Sequence, residues 1–191
     1  MSAPPLPPGS TIGILGGGQL GRMLSQAAAR LGFHVVILDP EENCPAGRVS
    51  QGQLVAAYDD PTALTVLGRV AQAVTFEFEN VPAASVERLV EGGASVSPGP
   101  KALAVAQDRV EEKTFLNAVG ATTVDFVPVD SLDDLVVGLE RLGVPALLKT
   151  RREGYDGKGQ VWVRAASEAG DAWNAIGGKP AILAAKAEFV R

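Results

Sequence analysis

The sequence predicts an α/β chain: an open parallel-sheet unit at the amino end, then a smaller α+β unit. Three observations carry this. Apolar strand-like runs alternate with helix-period segments from Thr11 to Val119. Glycines stand where the first strand gives way to the first helix. Past Gly120 the rhythm shifts to short strands arranged around one glycine-rich hairpin.

Taken in order, Thr11-Ile12-Gly13-Ile14-Leu15 reads as a buried strand and Gly16-Gly17-Gly18-Gln19-Leu20-Gly21 as the turn after it. Leu20, Met23, Leu24, Ala27, Ala28 and Leu31 recur at helical spacing, and Gly32 supplies a stop. His34 to Leu38 forms a second strand ending at Asp39-Pro40, which completes a right-handed βαβ unit. The pattern continues with a strand over 54–57, a helix over 61–71 opened by proline, a strand over 74–78 and a helix over 82–91. A short strand over 94–97 and one long amphipathic helix over 98–119 finish the first unit. In the second unit, strands over 125–129, 146–152, 161–164 and 181–190 accompany helices over 131–142, capped by Ser131, and 167–176. The expected organisation is a disordered arm over 1–10, one domain over 11–120 and a second over 121–191.

Composition removes several function classes. With 191 residues, 46% hydrophobic and 20% charged, this is the make-up of an ordinary globular protein. A net charge of −5 without a dense basic stripe argues against nucleic-acid binding. No apolar run is long enough to cross a bilayer, and the proline-rich start is not a secretory signal. The one cysteine, Cys44, excludes an intramolecular disulfide and a cysteine-rich zinc site and fits a reducing cytoplasm. The lone histidine, His34, begins a strand, so no Ser-His-Asp triad is expected.

Three stretches carry chemistry. Gly16, Gly18 and Gly21 satisfy G-x-G-x-x-G, with Asp39 ending the next strand where it would reach a cofactor ribose. A dinucleotide, another phosphorylated ligand at the helix amino end, and tight helix packing alone all fit that turn. Thr75-Phe76-Glu77-Phe78-Glu79-Asn80 puts Glu77 and Glu79 at a strand's carboxyl end, where an open sheet gathers its ligand. An exposed strand end with Asn80 capping the next helix reads equally well. In Leu148-Lys149-Thr150-Arg151-Arg152-Glu153-Gly154-Tyr155-Asp156-Gly157-Lys158-Gly159-Gln160, a lysine ends a buried strand and three glycines turn the chain back. Such a hairpin offers backbone N–H groups to phosphates, with lysines at either end. Gln107 to Lys113 is a charged helical face whose like charges at i,i+4 hint that Arg109 points elsewhere.

Together these stretches resemble the 5-(carboxyamino)imidazole ribonucleotide synthase family of the ATP-grasp superfamily. The resemblance rests on Gly18-Gln19-Leu20-Gly21-Arg22-Met23, Thr75 to Val81, Gln107 to Lys113 and Gly154 to Gln160, in that order. It implies a Rossmann-like pre-ATP-grasp domain that binds the ribotide, then the first part of an ATP-grasp domain. It also implies the reaction: ATP phosphorylates bicarbonate to carboxyphosphate, and 5-aminoimidazole ribonucleotide (AIR) is carboxylated to its N5-carboxyamino derivative in purine biosynthesis. By that resemblance Arg109, Lys149, Gly154 to Gln160 and Glu188 bind ATP. Tyr155, Asp156 and Lys158 are the catalytic group that positions bicarbonate or carboxyphosphate. Gly18, Gln19, Leu20 and Glu77 face AIR. Many relatives place arginine where Lys158 stands, and lysine lacks arginine's two-pronged fork. A cytoplasmic homodimer using ATP and Mg2+ is implied, with the metal ligands in later strands and none assigned in this sequence. The expectation is therefore an N-terminal portion or incomplete gene model, inactive as a ligase by itself. Two alternatives stand beside it: a non-catalytic nucleotide-binding fragment and an NAD(P)-dependent dehydrogenase.

Overall fold

The computed structural model describes residues 5–152, 154 and 158–187 and divides into two compact units, Met1–Ala104 and Val105–Arg191. In the first, β1 (Thr11–Leu15), β2 (His34–Asp39), β3 (Gly52–Val55) and β4 (Ala73–Phe76) form a parallel sheet in the order β3-β2-β1-β4. The chain steps outward from β1 and then returns to its other side, and that reversal opens a crevice at the carboxyl ends of β1 and β4. Their last residues, Leu15 and Phe76, are direct neighbours.

Helices cover both faces of this sheet, so its strands are apolar on both sides. On one face α1 (Gln19–Arg30) packs where Ile14, Ala28, Val35 and Ile37 are buried together. On the other, α2 (Pro61–Val70) and α3 (Ala83–Glu91) bury Leu64, Leu67, Val86 and Leu89 against Leu15, Leu38 and Val74. Asp60 starts α2, its carboxylate accepting from Ala63 N at 2.7 Å. Pro61 behind it has no N–H to leave unpaired.

The second unit is an antiparallel sheet in the order β5-β8-β6-β7, from β5 (Phe126–Val129), β6 (Ala146–Thr150), β7 (Gln160–Val163) and β8 (Ala181–Ala185). Ahead of β5 come α4 (Pro100–Ala106), mostly in the first unit, and α5 (Arg109–Ala118); α6 (Leu132–Leu142) joins β5 to β6, and α7 (Ala169–Ala175) lies between β7 and β8. Helices α6 and α7 close one face over Val129, Leu148, Val163 and Leu183. Ser131 and Asp134 cap α6 reciprocally: the hydroxyl accepts from Asp134 N at 3.1 Å and donates to the Asp134 carboxylate at 2.8 Å. The opposite face carries two cross-strand rows, Phe126-Ala184-Leu147-Trp162 and Pro128-Ile182-Lys149-Gln160. Among the described residues no helix is long and apolar enough to cross a membrane.

Several sequence expectations change. The single helix over 98–119 is two helices, because Asp108 is extended (φ −130°, ψ 116°) and caps α5. The strand over 94–97 reduces to one parallel bridge, Val74 to Val96. Residues 7–10 are not a loose arm: Gly9 N donates to Gly32 O at 2.7 Å, and buried Ser10 accepts from His34 N through its carbonyl at 3.0 Å. Helix α1 forms as expected but turns its large apolar residues outward, with Leu20, Met23, Leu24 and Leu31 exposed. It presents Gly21, Ser25 and Ala28 inward, which lets it lie close to the sheet. The compact units divide after Ala104, ahead of the expected Gly120 boundary, since Asp108 and Arg109 bond to Arg151 and Thr150 of the second unit.

Leu183 is fully buried between α6 and the sheet. Leu183→Ala is expected to cost about 2–5 kcal/mol. Both tryptophans, Trp162 and Trp173, lie in this unit, so urea unfolding followed by their fluorescence measures it directly.

Candidate functional site

The crevice of the first unit is built around a turn in which glycine is obligatory. Gly16 holds φ +103°, a conformation that L side chains rarely adopt. A Cβ on Gly18 would lie 2.7 Å from Glu77 Oε1. Glu77 directly follows β4, and its amide donates to Leu15 O at 3.0 Å. Its carboxylate turns back to accept from Gly18 N at 2.6 Å and from Gly21 N. These are orphan amides of α1's first turn, at the positive end of the helix dipole. Helix α1 has no side-chain cap from its own N-cap residue, Gly18, and takes one from a strand end 59 positions away.

That geometry removes the support for a nicotinamide dinucleotide. The α1 amino end, where a pyrophosphate would bind, already holds a carboxylate. Asp39, expected to reach a ribose, is buried. It accepts from Gly17 N at 2.7 Å, Glu41 N at 2.8 Å and the Tyr58 hydroxyl at 2.6 Å. Burial, then the Asp39 hydrogen bond and charge, push the Tyr58 phenol far above its ordinary range. Tyr58 in turn meets Phe78 edge-on at 5.5 Å. Gln19 and Leu20 stand exposed on α1's first turn, beside this clamp.

In the second unit the centre is Thr150, the last residue of β6. Its amide donates to Gly159 O at 2.8 Å, and its carbonyl accepts from Arg109 Nη1 at 3.0 Å. Its side chain fills the space beside Gly154 and Gly159; at Gly159, φ is +69° and a Cβ would come within 2.7 Å of Thr150 Oγ1. Arg109 Nη2 also donates to Gly154 O, so one guanidinium ties the hairpin's first glycine to the strand behind it. Lys149 pairs with Gln160 across β6 and β7 on the face opposite the helical core. Lys113, one turn after Arg109 on α5, lies 5.7 Å from the centre of the Phe126 ring. Burial pushes Lys113 below its ordinary range, and repulsion from Lys149 adds to it. Arg109 and Lys149 thus stand at the glycine hairpin, with Lys113 over β5, and two cations beside a glycine turn suit a polyphosphate.

Asp108 underlies this arrangement. Its Oδ1 accepts from Val110 N at 2.9 Å and from Glu111 N at 3.4 Å. Both carboxylate oxygens receive Arg151 Nε, at 3.0 and 3.1 Å, and Arg151 Nη2 lies 2.9 Å from Oδ2. Burial alone would raise the Asp108 carboxyl, but Arg151 and the two amides outweigh it and hold it below its ordinary range.

Of the residues singled out in the sequence, Gly18 and Glu77 touch each other, and Arg109, Gly154 and Gly159 converge on Thr150. Lys149 and Gln160 are cross-strand partners, and Lys158 is exposed. Tyr155, Asp156, Gly157 and Glu188 lie outside the described residues. Lys113 and Asp108 were legible only as a charged run; the i,i+4 spacing of Arg109 and Lys113 is the signal that one helix face carries both. Among the described residues no three carboxylate, histidine or cysteine side chains gather as a metal site.

Residues 10–107 match the ribonucleotide synthetase preATP-grasp domain, and residues 114–191 the ATP-grasp domain. The chain belongs to the ribonucleotide synthetase preATP-grasp family. The chain is 50% identical over 188 residues to the N5-carboxyaminoimidazole ribonucleotide synthase of Brucella melitensis, covering 97% of this chain and 52% of that protein. It is similar to the N5-carboxyaminoimidazole synthetase of Staphylococcus aureus complexed with ADP, with TM-score 0.91 and 38% identity over 97% of this chain and 49% of that one. It is also similar to the Aspergillus clavatus N5-carboxyaminoimidazole synthase in complex with ADP and 5-aminoimidazole ribonucleotide. There the TM-score is 0.84 and the identity 27%, covering 95% of this chain and 47% of that one. The chain therefore spans about half the length of the relatives it matches. The preATP-grasp unit is the one with the parallel sheet, and the antiparallel sheet with its glycine hairpin falls in the ATP-grasp match.

Because the Asp108 carboxyl is held low when folded, its contribution is full above the unfolded value of about 3.9 and is lost as pH falls through the lower folded value. Asp108→Asn is expected to lower stability near neutral pH by about 2–3 kcal/mol and to flatten the acid limb of stability against pH. Urea titrations across pH 2–7 (roughly the span of that linkage) check both.

Proposed function

We propose that this chain carries the ribotide-binding and nucleotide-binding parts of an ATP-dependent ligase acting on AIR. In that reaction a γ-phosphoryl group passes from ATP to bicarbonate, giving carboxyphosphate and ADP. The exocyclic amine of AIR then attacks the carboxyl carbon and phosphate leaves, forming N5-carboxyaminoimidazole ribonucleotide. Phosphoryl transfer asks the protein mainly for positioning and charge neutralisation. The observation that carries the reading is the pair of cations at the glycine hairpin: Arg109 bonded to Gly154 O and Lys149 paired with Gln160. The names of the relatives, with ADP and AIR in their complexes, supply the substrate class.

Under this reading Lys149, Arg109 and the hairpin glycines Gly154, Gly157 and Gly159, with Gln160, hold the nucleotide phosphates. Glu188 is assigned to the adenosine by the family resemblance alone. Tyr155, Asp156 and Lys158 position bicarbonate or carboxyphosphate. Gly18, Gln19 and Leu20 meet the ribotide on the exposed first turn of α1, with Glu77 fixing that turn. A cytoplasmic setting and a homodimer accompany the reading, and Met23, Leu24 and Leu31 give α1 an apolar face for the second copy.

Binding is the discriminating measurement for a chain of this length. Calorimetric titration is expected to show ADP and ATP binding and no comparable affinity for NAD. Lys149→Ala is expected to weaken ADP binding by about tenfold or more, the loss of one charge-assisted contact. NAD binding as tightly as ADP, or an unchanged ADP affinity in Lys149→Ala, would overturn the assignment.

A further inference from the structure

The geometry points to Asp108 and Arg151 as a positioning pair that sets Arg109, and through Arg109 the glycine hairpin, without either touching the nucleotide. The positioning rests on geometry alone; its effect on nucleotide affinity rests on the function proposed above.

Arg109 is the first residue of α5, so its direction is fixed by where that helix begins. Three interactions fix the beginning. Asp108 caps the helix through Val110 N and Glu111 N. Arg109 N donates to the Arg151 carbonyl at 3.0 Å. The Arg151 side chain folds back on Asp108 with Nε and Nη2, a planar fork against a planar carboxylate. The strand residue that anchors the helix through its carbonyl thus also grips the cap through its guanidinium. Arg152 Nε adds a longer contact, 3.5 Å from the same carboxylate. Arg151 is held from the other side as well, its amide donating to Pro180 O at 3.0 Å.

From that fixed start the Arg109 guanidinium spans Thr150 O and Gly154 O. It bonds directly across the mouth of the hairpin. Losing the pair would free the α5 start to fray, and Arg109 would exchange one bound geometry for many rotamers. Asp108 is 4% exposed, so its carboxylate grips without competition from water.

Two measurements on the whole chain test this: amide hydrogen exchange and ADP titration. Asp108→Asn keeps an acceptor for the helix cap and removes the charge that holds Arg151. It is expected to raise exchange at Thr150 and across 158–161 by about tenfold at a urea concentration far below the unfolding transition, as Arg109→Ala does, while α6 and α7 rise only by the amount their lower global stability dictates. The double variant is expected to match Arg109→Ala alone, because Asp108 acts through Arg109. Arg151→Lys, which keeps charge but loses the fork, is expected to fall between wild type and Asp108→Asn. If Asp108→Asn leaves the hairpin unchanged while Arg109→Ala loosens it, the positioning role is wrong. The same holds if the rise at Thr150 and across 158–161 is fully accounted for by the loss of global stability measured in urea, or if the two effects simply add. Should Asp108→Asn fail to fold, Arg151→Met reads the same contact. ADP affinity is expected to fall about tenfold in Asp108→Asn and no further in the double variant. Absence of ADP binding by wild type would sink the nucleotide assignment, and the exchange pattern would still decide the positioning role.

Discussion

Each unit depends on one carboxylate that receives the amino-terminal amides of a helix it must hold in place. In the first unit it is Glu77, arriving from the end of β4 to take Gly18 N and Gly21 N of α1. In the second it is Asp108, which takes Val110 N and Glu111 N of α5 and at the same time grips Arg151. A helix start carries unpaired donors and a partial positive charge, so a carboxylate there satisfies hydrogen bonding and electrostatics together. Both helices open onto residues proposed to meet ligands: Gln19 and Leu20 on α1, Arg109 on α5. Fixing the helix start fixes the ligand-facing side chains.

The two units solve one problem with different sheets. In the parallel unit the topology itself opens a crevice where the connections leaving the paired strands β1 and β4 diverge to opposite faces, and glycines let a strand end, a helix start and a carboxylate crowd together there. In the antiparallel unit nothing diverges. A hairpin instead wraps Thr150, whose backbone and side chain are used on every side. Arg109 and Lys113 come from one helix face and Lys149 from a strand end, and burial, with a smaller contribution from Lys149, holds Lys113 below its ordinary range.

Much of this was legible in the sequence. Period and punctuation placed every strand and most helices, and the glycine turns fell where strands end. The exceptions share one cause: a distant partner decides them. Asp108 within a charged run cannot be told from a solvated helix residue until Arg151, 43 positions on, is known to receive it. Glu77 was legible as a strand-end carboxylate but not as the cap of a helix that precedes it. Asp39 looked like a ribose ligand because the motif ends there, whereas Gly17 N, Glu41 N and Tyr58 occupy its oxygens. Helix α1 has leucine and methionine on one side and Gly21, Ser25 and Ala28 on the other, and apolar spacing favours the wrong side. Close approach to the sheet selected the small residues instead.

The long reach of Glu77 also bears on how the chain matures. A ribosome delivers α1 well before β4, so the helix emerges with its first-turn amides facing water and no acidic side chain to quiet them. Only when β4 slots beside β1 does the carboxylate arrive, and closing so long a loop is an entropic step that local contacts cannot hasten. The crevice end of the parallel unit is therefore incomplete until β4 is in place, and until then the nascent chain has strands but no finished turn there.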